Sequence, residues 1–307
     1  MILAVLMYAI LASTFTIAKA VLSYAKPFFI IGFRMTLAGI IFLVVQYFSN
    51  RTNFRIHRKD IWLFFRVALF NIYFAFIPEF WALQYVHSSK VVLLYSLTPF
   101  IVAGFAYFLV KEKVTFQKII GMAIGFCGMI PILMTQNDIR EAAMEMMNIS
   151  IPEFVLLFAI TSAAYAWFPI KKLMDRGYTV PFIHGSTMFC GGILALVTSL
   201  VFEGYSTSPI YNFGPFLGLT LLLVVISNGI FYNMYGFLLK RYAFTVLSFA
   251  GCTTPIFGAF YGWFFLSEPI TWHYGVSFVC VSIGLYLFYR NELSSCACSA
   301  ASIESKK

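Results

Sequence analysis

The chain of 307 residues is 61% hydrophobic and 11% charged, with a mean hydropathy of +0.86. Soluble domains are about half apolar and about a quarter charged, so this composition excludes an ordinary water-soluble fold and points to the bilayer. The net charge of +9 does not call for nucleic acid, because the basic residues fall in short loops between apolar runs, the pattern that membrane topology imposes. Apolar runs of about 20 residues cross a bilayer as helices. The predicted runs are 2–22, 27–48, 61–84, 90–110, 116–134, 152–173, 181–202, 213–239, 244–266 and 271–289. The expected fold class is therefore an all-α membrane protein with ten transmembrane helices. Residues 2–22 have no basic stretch before them, and Lys19 stands where a small-residue cleavage site would fall; they read as a retained first helix.

Ionisable residues inside apolar runs are costly and therefore informative. At about 1.5 Å per helical residue, Arg34 lies about 10 Å inside its helix from Pro27. Glu79 lies about 9 Å from the same side by the same measure. Lys19 and Lys90 are nearer that face. Two readings stand: an Arg34–Glu79 pair that locks helices 2 and 3, or a recognition site in which Glu79 takes an ammonium and a base takes a carboxylate. Arg66 sits near the opposite end of helix 3 and is expected to snorkel. Asn71 is 14 residues before Tyr85 and Asn228 is 14 before Tyr242, which makes the asparagines equivalent positions in helices 3 and 8. Asn228, Tyr232 and Tyr235 share a face of helix 8, and Tyr95 and Thr98 share one of helix 4. Tyr165, Trp167 and Trp263 add aromatic faces on helices 6 and 9. Buried amides and phenols need partners in lipid and so point inward; they read as cavity lining or as glue between helices.

His184 falls three residues into helix 7 and is expected at the interface, while His57, His87 and His273 are loop or helix-end residues. Cys127, Cys190, Cys252 and Cys280 lie within apolar runs and are expected in the core; Cys296 and Cys298 belong to a Ser/Ala-rich tail. No metal-ligand spacing, nucleotide-binding glycine loop or nucleophile–base signature is present in the sequence, so no cofactor or metal is expected. The expected partners are a small-molecule substrate and the lipid bilayer, not nucleic acid.

The sequence also repeats itself. TPFIVAGFAYFLVKEKVT at 98–115 is answered by TPIFGAFYGWFFLSEPIT at 254–271. Thr98-Pro99 and Thr254-Pro255, Glu112 and Glu268, Thr115 and Thr271, and Gly128 and Gly284 all share an offset of 156 residues. Pro99 and Pro255, read near the middle of their helices, are candidate hinges. Glu112 and Glu268 read as turn residues beside the threonine caps. The chain thus divides into a five-helix repeat at 1–136, an outer connecting loop at 137–151, a second five-helix repeat at 152–290 and a tail at 291–307. An odd number of helices per copy inverts the second copy, a familiar plan for transporters. With the N-terminus inside, inner segments carry fifteen basic residues and outer segments four, which predicts both termini cytoplasmic.

The order of these features resembles the EamA-type carriers of the drug/metabolite transporter superfamily, which have ten helices in two inverted repeats. The likeness rests on STFTIAK ending at Lys19, YAWFPIK ending at Lys171, PFFIIGFR with Arg34, and ALQYVHSSKVVLLYSLTP followed by KEKVTFQKIIG. The second copy, LLKRYAFTVLSFAGCTTP then SEPITWHYG, matches less closely, its glycine displaced to Gly275. Length and aromatic richness are similar to those of S-adenosylmethionine carriers of intracellular bacteria. The resemblance implies a secondary transporter in a bacterial inner membrane, not an enzyme. One acid against three bases and many aromatic faces suits S-adenosylmethionine, exchanged for S-adenosylhomocysteine. An amino-acid or other metabolite exporter stays open, as does a membrane-embedded transferase, which would need clustered His, Asp or Glu.

Overall fold

The computed structural model describes residues 2–49, 54–86, 91, 94–112, 115–128, 150–204, 208–266 and 275–288. The described residues are helical, with no strand beyond one isolated bridge between Ala25 and Ile210. The helices are α1 (Ile2–Val21), α2 (Pro27–Ser49), α3 (Arg58–Ala82), α4 (Leu94–Val110), α5 (Phe116–Cys127), α6 (Ile151–Asp175), α7 (Val180–Phe202), α8 (Phe213–Leu239), α9 (residues 244–266) and α10 (Gly275–Phe288). Five of them, α2, α3, α6, α7 and α8, are long and apolar enough to cross a membrane. The others are shorter apolar helices among the described residues. Residues 129–134, expected in helix 5, 271–274 and 289, expected in helix 10, and the turn at 267–270 with Glu268 lie outside the described residues.

Local chemistry sets several helix starts. Ser150 and Glu153 form a capping box ahead of α6, and the Thr179 hydroxyl accepts from the Phe182 N–H ahead of α7, so that free first-turn donors are satisfied. The N-terminus of α2 is capped from a distance: Glu203, at the end of α7, accepts from the Phe28 N–H at 2.8 Å and the Phe29 N–H at 3.1 Å.

Prolines 99 and 255 are not in the interior of continuous helices. α4 breaks at Leu97 and restarts at Thr98, while α9 passes through a 3-10 turn at Gly251–Thr253 and restarts at Thr254. Each proline then occupies the first turn of its segment, where the missing N–H costs nothing. The Tyr95 carbonyl, which a residue other than proline at 99 would have bonded, accepts the Thr98 hydroxyl at 2.6 Å.

The centre of the molecule is the seam between α2 and α7, which run antiparallel. A side chain at Gly39 would meet the Phe189 backbone nitrogen at 2.5 Å, and one at Gly192 would meet that of Thr36 at 2.5 Å. Gly32 lies against Leu196 and Gly185 against Leu43. Small residues let helix backbones approach in lipid, where water-driven burial does not help. These contacts obey one rule: Gly32 and Gly185, Thr36 and Phe189, Gly39 and Gly192, and Leu43 and Leu196 are each 153 residues apart, and each contact has its counterpart across the seam. Gly121 and Gly284 bring α5 and α10 together in the same manner. Of the four cysteines expected in the core, only Cys252 is buried; Cys127 and Cys190 are exposed and Cys280 is partly covered. In a bilayer an exposed apolar side chain meets lipid, so periodicity alone could not tell the two environments apart.

Candidate functional site

Two helices depart from α geometry in their middle. α3 is π-helical over Ala68–Tyr73 and α8 over Val224–Phe231. The π stretches contain the equivalent asparagines, Asn71 and Asn228, both buried. A π-bulge costs hydrogen-bond geometry and is found mostly where function requires it. Asn228 donates through Nδ2 towards the Met35 and Met188 sulfurs, at 3.3 and 3.5 Å. Those methionines are themselves 153 residues apart, one on each side of the central seam. Asn228 Oδ1 and Asn71 Nδ2 have no hydrogen-bond partner in the protein.

The charged residues form the second part. The Tyr95 hydroxyl donates to a Glu79 carboxylate oxygen. Arg34 is buried with its guanidinium over the Phe76 ring, 5.2 Å from the centroid, and its Nε is unpartnered. Arg34 and Glu79 therefore do not form the contact ion pair considered above. They act on each other and on Tyr232 through space. The Glu79 carboxylate is taken instead by the phenol from α4. An unpaired buried polar group costs about 1–3 kcal/mol, and groups of this kind in native proteins call for an explanation such as a water or ligand.

The third part is aromatic. Trp167 of α6 stacks on Tyr235 of α8, with ring centroids 3.8 Å apart. Tyr232 lies beside it at 5.7 Å. Against both stands His184, at 5.0 Å from Tyr232 and 5.9 Å from Trp167, edge-on to each. His184 is 0% exposed and neither ring nitrogen has a partner. Its expected interfacial position is thus corrected. The first turn of α7 is tucked inside the bundle, because α7 packs against α2 along its whole length and Gly185 gives α2 room to approach. Helical position gave no signal for this; the packing of α7 against α2, α6 and α8 decides it. Tyr8 of α1 lies next to the cluster, its ring edge-on to Phe231 at 6.0 Å, and a side chain at Gly251 would meet that ring at 3.1 Å.

Other expected residues lie apart from this cluster. Trp263 is 49% exposed, on a face of α9 with Phe260 and Phe264. Tyr165 packs between Phe70 and Phe105, with Arg66 over its ring. Thr98 spends its hydroxyl on the Tyr95 carbonyl. Lys90 lies outside the described residues, as does the Lys19 side chain. Among the described residues no cluster of His, Cys, Asp or Glu is spaced to hold a metal.

The sequence profile of the EamA-like transporter family matches twice, over residues 1–134 and 150–290. A protein of Chlamydia muridarum (strain MoPn / Nigg), named an S-adenosylmethionine/S-adenosylhomocysteine transporter, is 30% identical over 287 residues, which covers 92% of this chain and 88% of its own. The protein of that name from Chlamydia trachomatis serovar D (strain ATCC VR-885 / DSM 19411 / UW-3/Cx) is also 30% identical over 287 residues, 92% of this chain and 86% of its own. A solved crystal structure shares the fold, with a TM-score of 0.72 at 14% identity over 93% of both chains.

Proposed function

This chain belongs to the EamA-like transporter family, and we infer from that premise that it is a secondary carrier of S-adenosylmethionine, working in exchange for S-adenosylhomocysteine. The observation that carries the reading is the division of the buried cluster into a charged part and an aromatic part. Glu79, held by Tyr95, suits an ammonium, and Arg34 suits a carboxylate; Lys19 and Lys90 join them in this reading on their sequence positions alone. Trp167, Tyr232 and Tyr235 offer flat faces for a ring and for a cation, and a cation over such a face gains about 0.5–2 kcal/mol. S-Adenosylmethionine combines an amino-acid end, a sulfonium and a purine. The names of the chlamydial relatives point the same way. Asn71, Asn228 and Tyr95 complete the set of substrate-facing residues in this reading; Thr98, Tyr165 and Trp263, expected with them from the sequence, stand outside it.

The chain would cross a bacterial inner membrane ten times, as two inverted repeats at 1–136 and 152–290, joined by an outer loop at 137–151 and followed by a cytoplasmic tail at 291–307. The matched contacts across the α2–α7 seam and the matched π stretches support that inversion. The paired breaks before Pro99 and Pro255 are the hinges about which the repeats rock. The protein acts as a carrier rather than an enzyme, with no cofactor.

The test is a thermal-shift series on the purified protein with S-adenosylmethionine, S-adenosylhomocysteine and the common amino acids, followed by uptake into proteoliposomes. A ligand that binds the folded state raises its apparent stability by mass action. Both S-adenosyl compounds should raise the melting temperature, and internal S-adenosylhomocysteine should accelerate uptake. Stabilisation by an amino acid alone would replace the substrate while leaving the carrier.

A further inference from the structure

We propose that His184 and Asn228 form the polar edge of a flat-ring subsite walled by Trp167, Tyr232 and Tyr235, and that this subsite reads the base of the substrate. The proposal rests on the adenosyl-carrier reading above and adds a residue and a recognition rule to it.

The argument starts from what is unsatisfied. His184 is fully buried and both of its ring nitrogens are unpartnered. A neutral imidazole has one donor and one acceptor, so it asks its ligand for one of each or for either. Asn228 has turned its amide nitrogen to two methionine sulfurs, which are weak acceptors. That leaves Oδ1, an acceptor, without a donor. A carboxylate brought here would face Asn228 Oδ1 with no proton to offer, and an ammonium would satisfy the acceptors but leave the imidazole N–H without one. The edge of adenine carries an exocyclic amine beside ring nitrogens, a donor next to acceptors, on a flat apolar body. The walls fit that body, since bases stack on aromatic side chains regardless of sequence. Trp167 is half-buried, whereas Tyr232 and Tyr235 are buried. The charged end of the substrate is then left to Glu79 and Arg34, which lie on other helices.

Compare, as inhibitors of S-adenosylmethionine uptake, S-adenosylhomocysteine and its deaminated form, in which hypoxanthine replaces adenine. Deamination exchanges the amine donor for a carbonyl and leaves the amino-acid end untouched. The wild-type protein should bind the deaminated form roughly five- to tenfold more weakly, the order expected for the loss of one or two hydrogen bonds. His184→Phe keeps the volume and aromatic contacts and removes both nitrogens; it should weaken S-adenosylhomocysteine and bring the two inhibitors within about twofold of each other. If that variant does not accumulate in the membrane, His184→Leu is read by the same ratio. A wild-type ratio near one overturns the proposal, as does a variant that keeps the wild-type ratio. If the wild-type protein binds neither inhibitor while an amino acid stabilises it, the adenosyl reading itself falls and the ring subsite falls with it.

Discussion

The hydrogen bond from Tyr95 to Glu79 joins α3 to α4 and fixes the direction in which the carboxylate presents its second oxygen. Removing the charge while keeping the shape, Glu79→Gln, should cut uptake per inserted molecule at least tenfold, the equivalent of about 1.4 kcal/mol. Tyr95→Phe removes only the positioning donor and should cost a few-fold. Initial uptake rates in proteoliposomes check both; a Glu79→Gln protein that transports at the wild-type rate sinks the assignment of the ammonium site. Asn228 makes a different case. Its weak contacts to Met35 and Met188 and its unpartnered oxygen mean that it contributes little to stability. Asn228→Leu should therefore leave the melting temperature unchanged or raised, while uptake falls. A variant that lost stability and transport together would mark Asn228 as a structural residue.

At the scale of the helix, the distinction between sites that pack and sites that face space is sharp. Gly39 meets the backbone of Phe189, and backbone cannot move aside, whereas a side chain at Gly104 in α4 would meet nothing within 4 Å. Gly39→Ala should lower the melting temperature by several degrees or prevent accumulation, and Gly104→Ala should be tolerated; equal behaviour of the two would refute the seam as the organising contact. The turn after α4 belongs to the same level. Glu112 accepts from the Thr245 hydroxyl at the start of α9 and pairs with the buried Lys118 of α5 at 3.6 Å. It therefore ties the two halves of the chain together. Glu112→Gln removes the charge that faces Lys118 and the charged acceptor of the Thr245 hydroxyl, and should cost roughly 1–3 kcal/mol of stability, discounted because the carboxylate is partly exposed. The uptake rate per folded molecule should persist; its loss in a protein of unaltered melting temperature would make the turn part of the transport machinery.

For the molecule as a whole, the distribution of basic residues sets the expectation that both termini are cytoplasmic. At one end of the bundle Arg176 pairs with Asp60, which also accepts from Tyr178, and Lys171 donates to the Leu239 carbonyl. At the other end Lys26 donates to the Glu203 carbonyl at 2.6 Å. The first end is the richer in basic residues and should face the cytoplasm. In a protein whose native cysteines have been replaced, a cysteine at position 137 should react with an impermeant reagent added outside, and a C-terminal tag should be reachable only after permeabilisation. Reaction of residue 137 only in permeabilised cells, with the C-terminal tag still cytoplasmic, would remove the inverted arrangement.

Hydropathy by itself determined that this protein is helical and apolar enough for a membrane and, wherever helix ends are described, placed them to within a few residues, because bilayer thickness fixes how long an apolar run must be. The spacing of Thr98-Pro99 and Thr254-Pro255, and of Asn71 and Asn228, carried the internal duplication, since equivalent residues keep their distance along a chain whatever their surroundings. Tertiary structure alone decided which polar residues meet. Glu79 goes to Tyr95 rather than Arg34, because depth along two helices says nothing about how each is rotated. Pro99 and Pro255 cap new helical segments rather than bend old ones, because the breaks lie upstream, at Leu97 and at Gly251–Thr253, where no proline marks them. His184 enters the aromatic cluster because the glycines of α2 and α7 bring those helices into backbone contact. A contact between residues far apart in sequence is set by packing geometry, and no local pattern around His184 records it.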